Sequence, residues 1–183
     1  MSDARTKTLK LRMKSSGAPS ADQLAAIRAY TLRDFEADEL VVREFVLAHN
    51  AIDRDNEAFD ENLLADFQRT IPGKGTYIVH PTSWNSDGGP AEGRVFGARI
   101  ERMTFDRARE ILREPNLKFP PDRSEAVLLY TDTFFVKTDE NAALLTKMDA
   151  GIVGDISIGF NAHDRTLIND AEGRELNARR WPG

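Results

Sequence analysis

The sequence predicts an α+β protein built on a mostly antiparallel β-sheet or barrel surrounded by a few helices. Several short segments carry the β-branched and aromatic residues that are typical of strands, and helical segments separate only some of them. Regular β-α-β alternation, which would indicate a parallel sheet, is therefore absent. The chain has 183 residues, of which 40% are hydrophobic and 30% charged, and this suits one globular domain with its own core.

The predicted strands are runs of apolar residues bounded by turn signals. They are LVVREFVLAH at 40–49, TYIVH at 76–80, RVFGARIERM at 94–103, AVLLYTDTFFV at 126–136 and DISIGFNA at 155–162. Strand alternation in the last segment places Ile156, Ile158 and Phe160 on one face, with Asp155, Ser157 and Gly159 on the other. The serine is therefore predicted on the less bulky face, beside a glycine that leaves room for a substrate backbone.

Four helices are predicted from apolar residues at helical spacing and from signals at the helix ends. Ser20 is the expected N-cap of the first helix, Pro72 with Gly73 ends the second, and Gly151 ends the fourth. The four segments begin after Ser20 and lie around 59–71, at 105–113 and at 139–150.

Residues 1–20 are predicted to form a flexible arm, and residues 21–183 one domain. The arm is rich in serine, glycine and proline around 15–20 and shows no sustained apolar periodicity. It carries the one basic cluster of the chain, formed by Arg5, Lys7, Lys10, Arg12 and Lys14. Such a tail is usually a solvated end, and docking inside an assembly is the alternative.

Composition excludes several classes of function. The chain has no cysteine, which rules out disulfides, zinc-thiolate sites and cysteine nucleophiles. A net charge of -5 argues against nucleic-acid binding, and no apolar run is long enough for a membrane span. The acidic run Asp53, Asp55 and Glu57 lacks the glycine and the glutamate that a calcium loop requires, so we expect a turn there and no metal or cofactor.

Ser157 and His80 are the candidate nucleophile and base. A serine hydrolase needs a base of near-neutral pKa, and the chain has three histidines, at positions 49, 80 and 163. His80 ends an apolar strand and faces the glycine-rich loop WNSDGGP at 84–90, a place where a rigid scaffold delivers side chains to an open site. By these observations alone, Ser157 is more typical of a hydrogen-bonded structural residue, and His80 is equally open to a structural role and to the role of a base.

The other two histidines have less specific signals. His49 runs into a polar turn, and we interpret it as a structural residue that hydrogen-bonds there. His163 lies six positions beyond Ser157 and either orients His80 or is exposed. A metal hydrolase using all three histidines with a carboxylate is a weaker alternative, because none of them has HExxH spacing.

The order of these segments resembles the prohead protease family of tailed phages, whose fold is shared with herpesvirus assemblin. The resemblance covers roughly residues 40–168 and lies in HNAIDRDNEAFDENLL, YIVH, GRVFGARI and the helix that ends in DAGIVGDISIGF. It implies a closed β-barrel ringed by helices and a serine endopeptidase with Ser157 as nucleophile and His80 as base. His163 is then the expected third member of the site, with Glu172 and Glu175 as alternatives.

The resemblance also implies substrates, partners and location. The protease would cleave the scaffold or delta segment of the major capsid protein, and itself, as a homo-oligomer inside the assembling prohead in the host cytoplasm. Two departures are visible: Pro81 follows His80 with a longer link than in many relatives, and the chain stops before a strand that usually carries an acidic residue. We therefore expect a truncated C-terminus. A non-catalytic capsid-assembly or scaffold protein that retains the protease fold is the alternative function.

Overall fold

A computed structural model describes residues 3–10, 13–53, 57–78, 89–153 and 155–162. The predicted fold class is confirmed, because the chain is α+β with a curled antiparallel sheet, a half-barrel, and four helices. The described strands are β1 Asp3–Lys10, β2 Met13–Gly17, β3 Leu40–His49, β4 Gly75–Thr76, β5 Gly93–Met103, β6 Ala126–Val136 and β7 Asp155–Ala162.

The described strands form two separate sheets. The main sheet has the order β2-β3-β6-β5-β4, and each neighbouring pair in it is antiparallel. The second sheet is the antiparallel pair β1 and β7. Register shifts occur between Val46 and Ala48 in β3 and between Val95 and Gly97 in β5. Such bulges bend a strand and increase its twist, which suits a curled sheet.

Each of the four helices begins directly after an N-cap residue whose side chain accepts a backbone hydrogen bond. They are α1 Ala21–Arg28, α2 Glu61–Thr70, α3 Phe105–Leu112 and α4 Asp139–Asp149, and a 3-10 turn lies at Ala37–Glu39. Ser20 forms a capping box with Gln23 at the start of α1, as its type predicts. A cap side chain also accepts the N3 backbone N–H of each remaining helix, from Asp60, Thr104 and Thr138.

Helices α1 and α3 cover one face of the main sheet, while α2, α4 and β7 cover the other. On the first face, Ile27 of α1 packs near one end and Ala108 of α3 packs near the other, each in its own apolar cluster. On the second face, α2 and Ile158 share one cluster, and α4 forms another with β3 and β6. Strand alternation accounts for this division, because β3 and β6 are buried on both sides.

Within residues 1–20, where a flexible arm was expected, the structure describes two strands. Residues 3–10 form β1 and residues 13–17 form β2, each in a ladder with a strand distant in sequence. Backbone hydrogen bonds to an existing strand order such a segment, and they need no strong apolar pattern. The missing apolar periodicity was therefore a poor guide to disorder here.

The predicted strand at 76–80 is also wrong in part. The ladder between β4 and β5 ends at Thr76, and Tyr77 and Ile78 lie outside any strand with exposed side chains. The remaining two residues of that segment lie outside the described part of the chain. The predicted strands at 40–49, 126–136 and 155–162 match the structure, and the one at 94–103 begins one residue earlier.

Candidate functional site

Ser157 is the third residue of β7, and one edge of that strand is paired. Thr8 of β1 is its directly opposed residue in an antiparallel register that runs from Asp3 with Ala162 to Lys10 with Asp155. Ile158 is only 7% exposed and belongs to the apolar cluster under α2, and Ile156 packs against the same cluster. Gly159 is exposed. Ile158 and Gly159 therefore agree with the predicted alternation, and the Ser157 backbone is held between two packed isoleucines.

A turn at Gly151 follows α4 and leads toward β7. Gly151 has φ of 70°, in the left-handed region that glycine adopts without strain, and its N–H donates to the Met148 carbonyl at 2.9 Å. The Ile152 N–H donates to the Lys147 carbonyl, also at 2.9 Å. These bonds satisfy carbonyls at the end of the helix, so the DAGIV segment ends α4 and reverses the chain within a few residues of Ser157.

The proposed partners of Ser157 lie outside the described residues. This applies to His80 and His163, and the Ser157 side chain is likewise outside the described part. The Ser157 and His80 pair and the third position therefore stay predictions. Tyr77 and Ile78, which are the described residues nearest to His80 in sequence, are exposed beyond the end of β4.

His49 lies at the end of β3 and is 7% exposed. The next residue, Asn50, is fully buried; its Oδ1 accepts the Val127 N–H at 2.9 Å and its Nδ2 donates to the Glu125 carbonyl at 3.1 Å. His49 thus enters a buried, hydrogen-bonded junction between β3 and β6. This location supports its interpretation as a structural residue.

Asp53 and Glu57, at the two ends of the acidic run after β3, are hydrogen-bonded to each other, as expected for a turn. The Asp53 carboxylate accepts the Glu57 N–H at 2.9 Å, and the Asp53 N–H donates to the Glu57 carbonyl at 2.9 Å. Asp53 therefore uses its side chain to close a loop before α2. Within the described ranges, no three histidine, cysteine, aspartate or glutamate side chains are grouped so that they could hold a metal ion.

Arg99 is the centre of a polar network that we did not predict. On the sheet face covered by α1 and α3, its guanidinium contacts three carboxylates, Glu44 at 2.5 Å, Glu101 at 2.9 Å and Asp132 at 3.8 Å. It also lies over the Tyr130 ring, 4.6 Å from the centroid. Burial opposes the charged form of Arg99, but the hydrogen bonds to the first two carboxylates outweigh it and raise the arginine pKa.

The pKa values of two residues beside Arg99 are shifted by burial. Burial raises the Asp132 pKa, and the nearby Glu44 charge adds to the effect, while Arg99 opposes it. Burial also raises the Tyr130 pKa, with contributions from Glu101 and Glu44. The three carboxylates share one guanidinium, so the network holds a formal excess of negative charge around Arg99.

Arg43 forms a second buried charge, on the opposite face of the sheet. Its side chain is 3% exposed, and Nη2 donates to the Asp149 carboxylate at 2.9 Å at the end of α4. Burial lowers the Arg43 pKa, and the Asp149 charge opposes that shift. A carboxylate at a helix C-terminus is unfavourable to the helix dipole, so the ion pair with Arg43 accounts for Asp149 at this position.

No helix in the described ranges is long and apolar enough to cross a membrane. Comparison with known proteins gives no relative: no protein-family model matches the chain, no curated protein is similar to it, and no solved structure matches its fold.

Proposed function

We propose that this chain is a serine endopeptidase of the prohead protease type, with Ser157 as nucleophile and His80 as base. One observation carries the proposal: the serine backbone is fixed in β7 by the packed Ile156 and Ile158, beside an exposed glycine. A nucleophile needs such a rigid backbone with open space next to it. The Gly151 turn supports the proposal further, because it matches the motif that carries the family resemblance.

The chemistry proposed is acyl transfer in two steps. His80 removes the proton of the Ser157 hydroxyl as the oxygen attacks the substrate carbonyl, and the imidazolium then protonates the leaving amine. Water, activated by the same imidazole, hydrolyses the acyl-enzyme and regenerates the hydroxyl. His163 is proposed to orient the His80 ring.

The substrate, partners and barrel belong to the same proposal. The substrate would be the scaffold or delta segment of the major capsid protein and the protease itself, cleaved by a homo-oligomer inside the prohead in the host cytoplasm. The described half-barrel would be part of a closed barrel related to herpesvirus assemblin. The curled antiparallel sheet and the four helices that cover it support this finer assignment.

The test is covalent labelling by a small alkyl fluorophosphonate, followed by peptide mapping. We expect labelling at Ser157, with complete loss in Ser157→Ala and a loss of about a hundredfold or more in rate in His80→Ala. Ser124→Ala is the matched serine control, because Ser124 is exposed in the loop before β6. His49→Gln is the matched histidine control, because His49 is assigned a structural role.

An unchanged rate of labelling in His80→Ala would show that His80 is not the base. A folded wild-type chain that takes no label at Ser157 would contradict hydrolysis altogether and would favour the non-catalytic assembly protein. Cleavage of a capsid scaffold segment by wild type, but not by Ser157→Ala, would establish the substrate class.

A further inference from the structure

Strand β1 has an unusual place in the fold. Within the described residues it pairs with β7 alone, while β2, two residues further along the chain, joins the main sheet beside β3. Its register is continuous over eight residue pairs, and Thr8 opposite Ser157 is the sixth of them. The edge of β7 at the candidate nucleophile is therefore already occupied by an extended segment of the same chain.

An extended peptide recognises such an edge by adding a strand, with affinity that comes from main-chain hydrogen bonds. β1 makes this kind of contact with β7. Lys10 is the register partner of Asp155, and the sequence of the strand has three basic residues and one acidic residue. Thr8 opposite Ser157 marks where the backbone of a bound peptide would pass the serine.

A ladder of two strands is weakly held compared with the main sheet. Two-stranded pairs are marginal by themselves, and a strand outside the main sheet opens at a lower free energy than a core strand. A tethered strand nevertheless competes well with a free peptide, because the tether gives an effective concentration of the order of millimolar. Without substrate, β1 therefore occupies the edge of β7, and a peptide that binds this edge more tightly can displace β1.

We propose that β1 is a displaceable internal occupant of a peptide-binding edge on β7, and that an extended peptide substrate must replace β1 to reach Ser157. This inference rests on the proposed hydrolase function. It adds the binding mode, which is strand addition, and an inhibitory role for Asp3–Lys10.

The test locks β1 in place in the full-length protein. The chain has no cysteine, so the pair Ala4→Cys with Asn161→Cys, directly opposed in the register and four residues from Ser157, is the sole possible intramolecular disulfide. Opposed residues of an antiparallel pair have Cα atoms about 4.5 or 5.5 Å apart, which a disulfide can span. The single-cysteine variants and the reduced protein are the controls.

The rate of labelling at Ser157 in the locked and the reduced forms is measured with two reagents. One is the small fluorophosphonate, and the other is a phosphonate whose peptide part copies Ala4–Thr8. We expect the small reagent to label both forms equally, and the peptide reagent to label the reduced form about tenfold faster or more than the oxidised form.

Every other result would contradict either the role of β1 or the hydrolase proposal itself. Equal rates with the peptide reagent, while the small reagent still labels Ser157, would overturn the role of β1 and leave the hydrolase proposal intact. Failure of the folded double variant to form a disulfide would show that β1 does not hold this register, which also overturns the inference. Absence of labelling by the small reagent in every form would end the hydrolase proposal, and with it the inhibitory role.

Discussion

The two faces of the main sheet each carry an arginine in their interior, and they differ in how the charge is balanced. Arg43, on the face covered by α4 and β7, is 3% exposed and has one carboxylate partner, Asp149. Arg99, on the face covered by α1 and α3, is 37% exposed and contacts three carboxylates. The face with Arg43, called the closed face below, holds one ion pair. The face with Arg99, called the open face, holds several partly exposed charges.

This difference predicts unequal responses to the loss of a partner. A charge that is taken out of water and loses its single partner is destabilising by several kcal/mol. A charge in a partly solvated network keeps other partners and some water, so the loss of one contact costs less. The predictions below test that contrast.

The largest effect is expected from Asp149→Ala. It leaves the Arg43 guanidinium buried without its ion-pair partner, and we expect a loss of about 2–3 kcal/mol in the free energy of unfolding. Asp149 is 53% exposed, so the pair is screened by water on one side, and removal of a carboxylate from a helix C-terminus favours the helix slightly. The value therefore lies below the usual range for a fully buried pair. Denaturant unfolding measures it, with the exposed Lys147→Ala on the same helix as control.

Arg43→Met distinguishes the charge from its packing. Methionine fills much of the same volume without a charge to desolvate, so this variant should lose less stability than Asp149→Ala. Equal losses in the two variants would mean that Arg43 contributes through its packing, and the contrast between the faces would then fail.

A smaller effect is expected from Arg99→Met. Three carboxylates lose their shared cation, but each is partly exposed and water replaces part of the interaction, so we expect a loss of about 1–2 kcal/mol. Arg102→Met on the same strand is the control: Arg102 is 51% exposed, its ion pair with Glu61 is on the surface, and its loss should cost less than about 0.5 kcal/mol. A larger effect at Arg102 than at Arg99 would contradict the network as described.

The sequence predicted the strands of the main sheet better than its edges. β3 and β6 are buried on both sides, and their apolar runs define them locally. β1 and β2 owe their order to distant partners, which a local pattern does not contain, so they were missed. Tyr77 and Ile78 show the opposite error, since they are apolar but exposed past the end of the ladder.

The features of the candidate site that could be predicted are likewise those with a local signal in the sequence. The strand that carries Ser157 was predicted because apolar alternation and the Gly151 turn are local signals. The two arginine networks were missed, because burial of an arginine depends on a carboxylate far away in sequence. One signal was available: Arg43 and Glu44 interrupt the apolar run LVVREFV, and adjacent residues of a strand face opposite sides of a sheet. That pair alone predicts one charge on each face.

The smallest effect, and the one that tests the open face most directly, is expected from Asp132→Asn. Burial raises the folded-state pKa of Asp132 above its unfolded value, with Glu44 adding to the shift. The folded state therefore binds the proton more tightly, and the stability that Asp132 contributes is greatest below its unfolded pKa and is lost as pH rises through its folded pKa. Asparagine does not ionise, so the variant should gain stability over wild type as pH rises.

We expect that gain to be below about 1 kcal/mol at pH 7, because Asp132 is partly exposed and Arg99 offsets part of the cost of its charge. Unfolding curves from pH 3 to pH 8 measure the difference, with Asp122→Asn at the surface as control. The charges that face Asp132 are Glu44 on β3 and Arg99 on β5. A wild type that is more stable than Asp132→Asn at pH 7 would show that its attraction to Arg99 outweighs burial, and the open face would then bind its charges as tightly as the closed one.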